Sequence, residues 1–135
     1  MADTQENAPG EVPVKILLVE DNPGDARLFQ ELLADARASF SIDHVRKLSE
    51  AVDRLDQGGI DVIMSDLSLP DSQGIETFKK LHAAAPQVPV IVLSGMDDET
   101  LAVETVQRGA QDYLVKGKID DRLLVRALRY ALERK

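Results

Sequence analysis

Short, wholly apolar runs alternate along this chain with longer segments of helical periodicity, and no other feature narrows its fold so far. VKILLV (14–19), DVIMSD (61–66) and VPVIVLS (88–94) are continuous enough to be strands buried on both faces. SIDHVR (41–46) alternates weakly and reads as a strand nearer an edge, with QDYLVK (111–116) as the last strand. Residues 23–37 carry Ala26, Leu28, Phe29, Leu32, Leu33 and Ala36 at helical spacing, and Pro23 suits a first turn. Further helices are expected over 48–57, stopped by Gly58 and Gly59, and over 73–85, ending before Pro86. Two more are expected over 97–107, closed by Gly109, and over 119–134. Five strands alternating with five helices through short connections predict one α/β domain, a doubly wound, mostly parallel sheet with helices on both faces. The polar stretch MADTQENAPGEV (1–12) predicts a disordered lead, which puts the domain at 13–135.

Composition removes several function classes. The 135 residues suffice for one domain with a core, and 44% hydrophobic and 30% charged residues are ordinary for a globular chain. No apolar stretch approaches the roughly 20 residues of a membrane span, and the N-terminus lacks the basic-then-apolar pattern of a secretory signal. Cysteine is absent, which excludes disulfides and thiolate chemistry. A net charge of −8 repels a phosphate backbone. We therefore expect no nucleic-acid partner and no membrane for this chain, and a cytoplasmic location.

In open parallel sheets, ligands bind beyond the carboxyl ends of the strands. The stretch LLVED brings the first strand to Glu20 and Asp21; the third ends at Asp66, the fourth at Ser94 and the fifth at Lys116. Three carboxylates, a hydroxyl and an ammonium thus converge on one rim. Like charges so close raise one another's pKa and destabilise the fold. A bound Mg²⁺, which takes hard oxygen ligands and keeps some waters, removes the conflict. A lone acidic pair would as readily cap the next helix or sit in water. Matching residues on three other strand ends favour a metal site.

The same residues carry a family resemblance. LLVEDN (17–22), DLSLPDSQG (66–74), LSG (93–95) and DYLVK (112–116) are each weak signals. In this order and at these strand ends they resemble the receiver domains of two-component response regulators, over roughly residues 14–133. The resemblance implies a flavodoxin-like sheet of strand order 2-1-3-4-5. It implies that Asp66 accepts a phosphoryl group from the phosphohistidine of a sensor histidine kinase or a phosphotransfer protein. It implies Mg²⁺ held by Asp21, Asp66 and the backbone carbonyl of Ser68, with Glu20 acting through a water. Lys116 would pair with one phosphoryl oxygen and Ser94 would hydrogen-bond another, with Gly95 leaving room. Tyr113, on the opposite face of its strand from Lys116, would turn inward as Ser94 moves toward the phosphate. Such a chain catalyses its own phosphorylation and slow dephosphorylation, and is otherwise not an enzyme.

Some residues depart from the pattern or fall outside it. Gly117 follows Lys116 where the family commonly has proline, so the 116–119 loop is expected to be less rigid. Met96 and Ser68, two residues past Ser94 and Asp66, would flank the path of an attacking water. Apolar Met96 does not orient one, so no unusually fast self-dephosphorylation is expected. Pro70 and Gly74 have an ordinary turn-forming reading, and His44 and His82, isolated from other ligands, read as surface residues. On the last helix Ile119, Leu123, Leu124, Ala127, Leu128 and Ala131 make a core face. Val125 and Leu132 widen the apolar arc to roughly 240°. That excess suggests a partner surface over 97–107, 111–115 and 119–134, for a downstream target or a homodimer.

Competing readings are a receiver-shaped interaction module that is never phosphorylated and a receiver fragment of a larger hybrid signalling protein. The complete set of five site residues speaks against the first. A phosphatase working through an aspartyl phosphate needs a carboxylate where Ser68 stands. A flavin-binding flavodoxin needs a Ser/Thr/Gly-rich phosphate loop that does not follow the first strand.

Overall fold

The structure, a computed structural model, describes residues 13–34 and 40–133. The lead expected over 1–12 lies outside the described residues, as do the final positions expected for the first and last helices. The elements are β1 (Val14–Val19), α1 (Pro23–Ala34), β2 (Phe40–Val45), α2 (Leu48–Asp56), β3 (Val62–Asp66), β4 (Ser68–Leu69) and β5 (Ser72–Gln73). They continue with α3 (Ile75–Ala84), β6 (Val90–Ser94), α4 (Glu99–Gln107), β7 (Asp112–Val115) and α5 (Asp121–Glu133). Single 3₁₀ turns at Met96–Asp98 and Lys116–Lys118 precede α4 and α5.

The main sheet runs β2-β1-β3-β6-β7, all neighbours parallel. With the small β4–β5 ribbon set aside, this is the flavodoxin-like order 2-1-3-4-5. Each face of the sheet has its own core. Leu17, Val19, Ile63 and Val92 pack with Leu48, Ala51, Phe78, Leu81 and Ala102 of α2, α3 and α4. Ile16, Leu18, Met64, Ile91 and Leu93 pack with Phe29, Leu33, Leu124 and Leu128 of α1 and α5. Strands covered on both sides have no use for alternation, which is why β1, β3 and β6 read as unbroken apolar runs.

The loop after β3 differs from expectation. The helix expected from 73 begins at Ile75, because Ser72 and Gln73 pair antiparallel with Leu69 and Ser68. Gly74 then turns the chain into α3 with φ 69, a conformation open to glycine, and its N–H donates to the Leu67 carbonyl at 2.7 Å. A two-residue ribbon is too short to register as periodicity. Its turn residues were the visible part.

Asp71, at the tip of that ribbon, caps a helix remote in sequence. The residue preceding α2, Lys47, offers no side-chain acceptor. Asp71 supplies both: Leu48 N–H donates to Oδ1 at 2.8 Å and Ser49 N–H to Oδ2 at 3.0 Å. Those N–H groups hold the Asp71 carboxyl below the ordinary carboxylate range. Asp71→Ala should cost about 1 kcal/mol of stability, the usual worth of a helix cap. A carboxyl with a depressed folded pKa stabilises above its unfolded value and loses that contribution as pH falls through the folded one. Urea unfolding at neutral pH should therefore show the difference, and it should vanish in acid. Equal midpoints at neutral pH would mean the cap is idle.

Three side chains, His44, Leu123 and Val125, differ from their expected places. His44, read as a surface residue, is half-buried on β2, and its Nε2–H donates to the Glu20 carbonyl at 2.8 Å. An edge strand of a sheet covered on both faces still hides most of each side chain. His82 is exposed and stacks on Phe78, ring centroids 5.6 Å apart. On α5, Leu123 is 36% exposed rather than in the core, while Val125 packs against the α1/α5 core. The helix starts only at Asp121, with Asp120 capping it through the Leu123 N–H at 2.8 Å. Leu123 therefore sits in the first turn, against the β7 side of the sheet edge.

Candidate functional site

Register explains the convergence of the strand ends. Val19 is level with Ser65, so Glu20 follows β1 where Asp66 follows Ser65. Asp66 is level with Leu93, which places Ser94 one step beyond, and Ser94 is level with Val115, which places Lys116 one step beyond. Asn22 then caps α1, its Oδ1 accepting the Asp25 N–H at 3.0 Å. That turn brings the first residues of α1 back over the same rim.

Lys116 is the hub. Its Nζ donates to Asp66 Oδ2 at 2.6 Å and to Asp25 Oδ2 at 3.0 Å. It also lies 2.6 Å from Glu20 Oε1, an ion pair whose angle falls short of a hydrogen bond's. Lys116 is thus no solvated lysine; its side chain is 16% exposed. Burial by itself would lower the pKa of the ammonium, but its contacts with Asp66, Glu20 and Asp25 outweigh that and hold it above the ordinary lysine value. Glu20 is fully buried. Burial pushes its carboxyl up, and the Lys116 ammonium only partly offsets this. Its Oε2 accepts the Asn22 N–H at 3.2 Å.

Asp66 is held at both oxygens, with Oδ2 on Lys116 and Oδ1 accepting the Ser68 N–H at 2.9 Å. Asp21 is exposed at the mouth. Ser94 is buried, and its Oγ has no hydrogen-bond partner. A buried hydroxyl without a partner costs about 1–3 kcal/mol, so its persistence calls for a reason. Ser94 and Asp66 line a common pocket of about 120 Å³ with Ser68, Gln73 and Asp98. Tyr113 packs against the α2/α3/α4 core, and its hydroxyl donates to Glu99 Oε2 at 2.8 Å. That bond is the main reason the phenol's pKa is raised.

Asp25 was not among the residues singled out from the sequence. It looks there like an ordinary acidic residue in a helix's first turn, and its contact with Lys116 spans 91 positions. Nothing local announces it.

Carboxylate oxygens of Glu20, Asp21 and Asp66 lie within 4.8 Å of one another. Three hard oxygens so placed, one of them at an open mouth, fit a small divalent cation such as Mg²⁺. We predict that Mg²⁺ raises the melting temperature of the wild type. A ligand at 100 times its Kd adds about 2.7 kcal/mol, and Asp21→Ala should remove most of the shift. A melting temperature indifferent to saturating Mg²⁺ would remove the metal site.

With that geometry established, the chain can be set beside known proteins. Residues 16–129 match the model of the response regulator receiver domain. A curated relative is the swarming motility regulation protein RssB of Serratia marcescens, 36% identical over 104 residues, covering 76% of this chain and 46% of that protein. The chain thus spans about half the length of that relative. Among solved structures, the signal receiver domain of an HD domain-containing protein from Pseudomonas fluorescens Pf-5 is 28% identical with a TM-score of 0.80, covering 95% of this chain and 93% of that one. The receiver domain of a sensor histidine kinase from Pseudomonas aeruginosa PAO1, solved with a magnesium ion coordinated in its active-site cleft, is 25% identical with a TM-score of 0.76, covering 90% and 99%. Matched across its sheet, its helices and the strand ends that carry the acidic cluster, the chain belongs to the response regulator receiver domain family.

Proposed function

We propose that the chain is a phosphoacceptor switch in which Asp66 takes a phosphoryl group from the phosphohistidine of a sensor histidine kinase or phosphotransfer protein. The observation that carries this reading is the arrangement at Asp66. A carboxylate is fixed at both oxygens beside a buried, unpartnered Ser94 hydroxyl and a half-buried ammonium. Asp66 acts as nucleophile, and a carboxylate oxygen bonds phosphorus as the phosphohistidine nitrogen leaves. Bound Mg²⁺ would offset charge on the transferring group, held by Asp21, Asp66 and the Ser68 carbonyl, with Glu20 acting through a water. Lys116, already in contact with Asp66, pairs with one phosphoryl oxygen. Ser94 donates its free hydroxyl to another, which ends the unpartnered state of that group.

Signalling follows from Ser94. Its movement toward the phosphoryl group draws on Gly95 and the Met96–Asp98 turn that leads into α4. Tyr113, released from Glu99, turns inward. The groove beside it, about 340 Å³ and lined by Glu99, Tyr113, Val115, Lys118 and Leu123, changes shape for a downstream partner or a second copy. A ligand-driven change needs contacts that differ between two states, and charge at Asp66 supplies the difference. Among the described residues no helix is long and apolar enough to cross a membrane.

Incubation with Mg²⁺ and acetyl phosphate, followed by intact mass, tests the chemistry. One added phosphoryl group, labile to hydroxylamine as an acyl phosphate is, is expected; no gain overturns it. Hydrogen exchange with beryllofluoride should change across residues 94–116. Changes confined to the 66–74 loop would remove Tyr113 from the switch.

A further inference from the structure

The Lys116 ammonium already touches oxygens of two of the three strand-end carboxylates that would hold a cation. Its Nζ is 2.6 Å from an oxygen of Glu20 and 2.6 Å from one of Asp66, and these carboxylates with Asp21 bring their oxygens within 4.8 Å of one another. A divalent cation shared by those oxygens and an ammonium touching two of them repel strongly at a few ångströms. Ion entry therefore displaces Nζ. Lysine's four-carbon stem allows a short retreat, and a third contact already exists, Asp25 Oδ2 at 3.0 Å. Asp25 belongs to α1 and not to the three carboxylates that meet. Its backbone N–H is engaged by Asn22, while its side chain is turned to Lys116.

Resting on the metal-binding reading above, we propose that Asp25 is a positioning residue that receives the Lys116 ammonium when a divalent cation enters. It keeps the lysine's charge paired during the exchange and holds it beside Asp66 for the incoming phosphoryl group. Without Asp25, the ammonium must either stay and oppose the ion or move into water. The contact with Asp25 is then one of three before the ion enters and the principal one afterwards. A contact that strengthens on binding contributes to affinity, and one of equal strength in both states does not.

Mg²⁺ binding, followed by isothermal titration of the full chain, tests this in wild type, Asp25→Asn, Lys116→Gln and the double variant. Asp25→Asn should weaken Mg²⁺ by about fivefold, the scale of one partly exposed ion pair. With Lys116→Gln in place the same substitution should change little, and Asp25→Glu should restore affinity in the wild-type background. Equal weakening in both backgrounds would show that Asp25 acts on the ion by its charge alone, and would overturn the proposal while leaving the metal site standing. No Mg²⁺ binding by the wild type would overturn both. Should Lys116→Gln fail to fold, the ¹⁵N resonance of the Lys116 ammonium decides. On adding Mg²⁺ it should stay slow to exchange with water in the wild type and become fast in Asp25→Asn; identical behaviour overturns the proposal.

Discussion

Asp66→Asn should reduce phosphoryl incorporation from acetyl phosphate to below about one hundredth of the wild-type rate, since the proposed nucleophile is then gone. The amide has the shape of the carboxylate but no anionic oxygen to attack phosphorus. Its remaining oxygen can still accept the Ser68 N–H, which the wild-type Oδ1 receives at 2.9 Å. The ribbon that follows should therefore keep its place, and loss of activity will not be loss of fold. The amide nitrogen does meet the Lys116 ammonium donor to donor, where Oδ2 now accepts at 2.6 Å. Lys116 keeps Glu20 and Asp25 as partners. Circular dichroism should show a native spectrum, and intact mass after incubation with acetyl phosphate and Mg²⁺ should show no addition. Incorporation at the wild-type rate would assign the phosphoacceptor to another residue, which peptide mapping would then locate.

The largest effect on stability should come from Lys116→Met. The methionine fills the space of the stem but leaves Glu20, Asp66 and Asp25 without their cation. Removing one partner of a buried pair costs roughly 3–5 kcal/mol; because Asp66 and Lys116 retain some solvent access, about 3 kcal/mol is expected. That is a large share of the roughly 5–15 kcal/mol that holds a domain together. The deficit should depend on pH in a defined direction. Burial already pushes the Glu20 carboxyl above its ordinary value of 4.5, and losing the ammonium pushes it further. A group that binds its proton more tightly in the folded chain makes stability fall as pH rises from the unfolded value through the folded one. The variant should approach the wild type in acid and fall furthest behind at neutral pH, with Mg²⁺ restoring part of the difference. Urea midpoints that separate the two proteins equally at every pH would mean the cost is packing and not charge.

What could be read in advance was whatever a strand announces by where it stops. Glu20, Asp21, Asp66 and Ser94 each close or follow an apolar run, and parallel register alone brings such ends together. Lys116 was visible for the same reason, although it opens a 3₁₀ turn rather than ending β7. What could not be read depends on contacts between distant stretches. Asp25 and Asp71 are ordinary acidic residues in sequence, and each acts on a partner more than twenty positions away. His44 looked exposed because its strand alternates weakly, and its ring is half-hidden because the sheet is covered there too. Leu123 and Val125 stand about 100° to either side of Leu124, at the two edges of the core face, and Ile119, which lies before α5 begins at Asp121, draws the expected face toward Leu123.

The order in which the chain is made gives Lys116 one more consequence. The ammonium that neutralises the acidic cluster comes from the far end of the domain, 50 residues after Asp66 and 91 after Asp25. A ribosome therefore releases Glu20, Asp21, Asp25 and Asp66 well before it releases their counter-charge. Until the last strand docks, the carboxyl ends of β1 and β3 repel one another, and contacts of such long separation are the slowest to close. The repulsion bears on the rim and not on the apolar bodies of these strands, so early pairing can proceed while the rim stays open. The acidic rim gains its counter-charge only when β7 is in place, so this part of the domain is completed last.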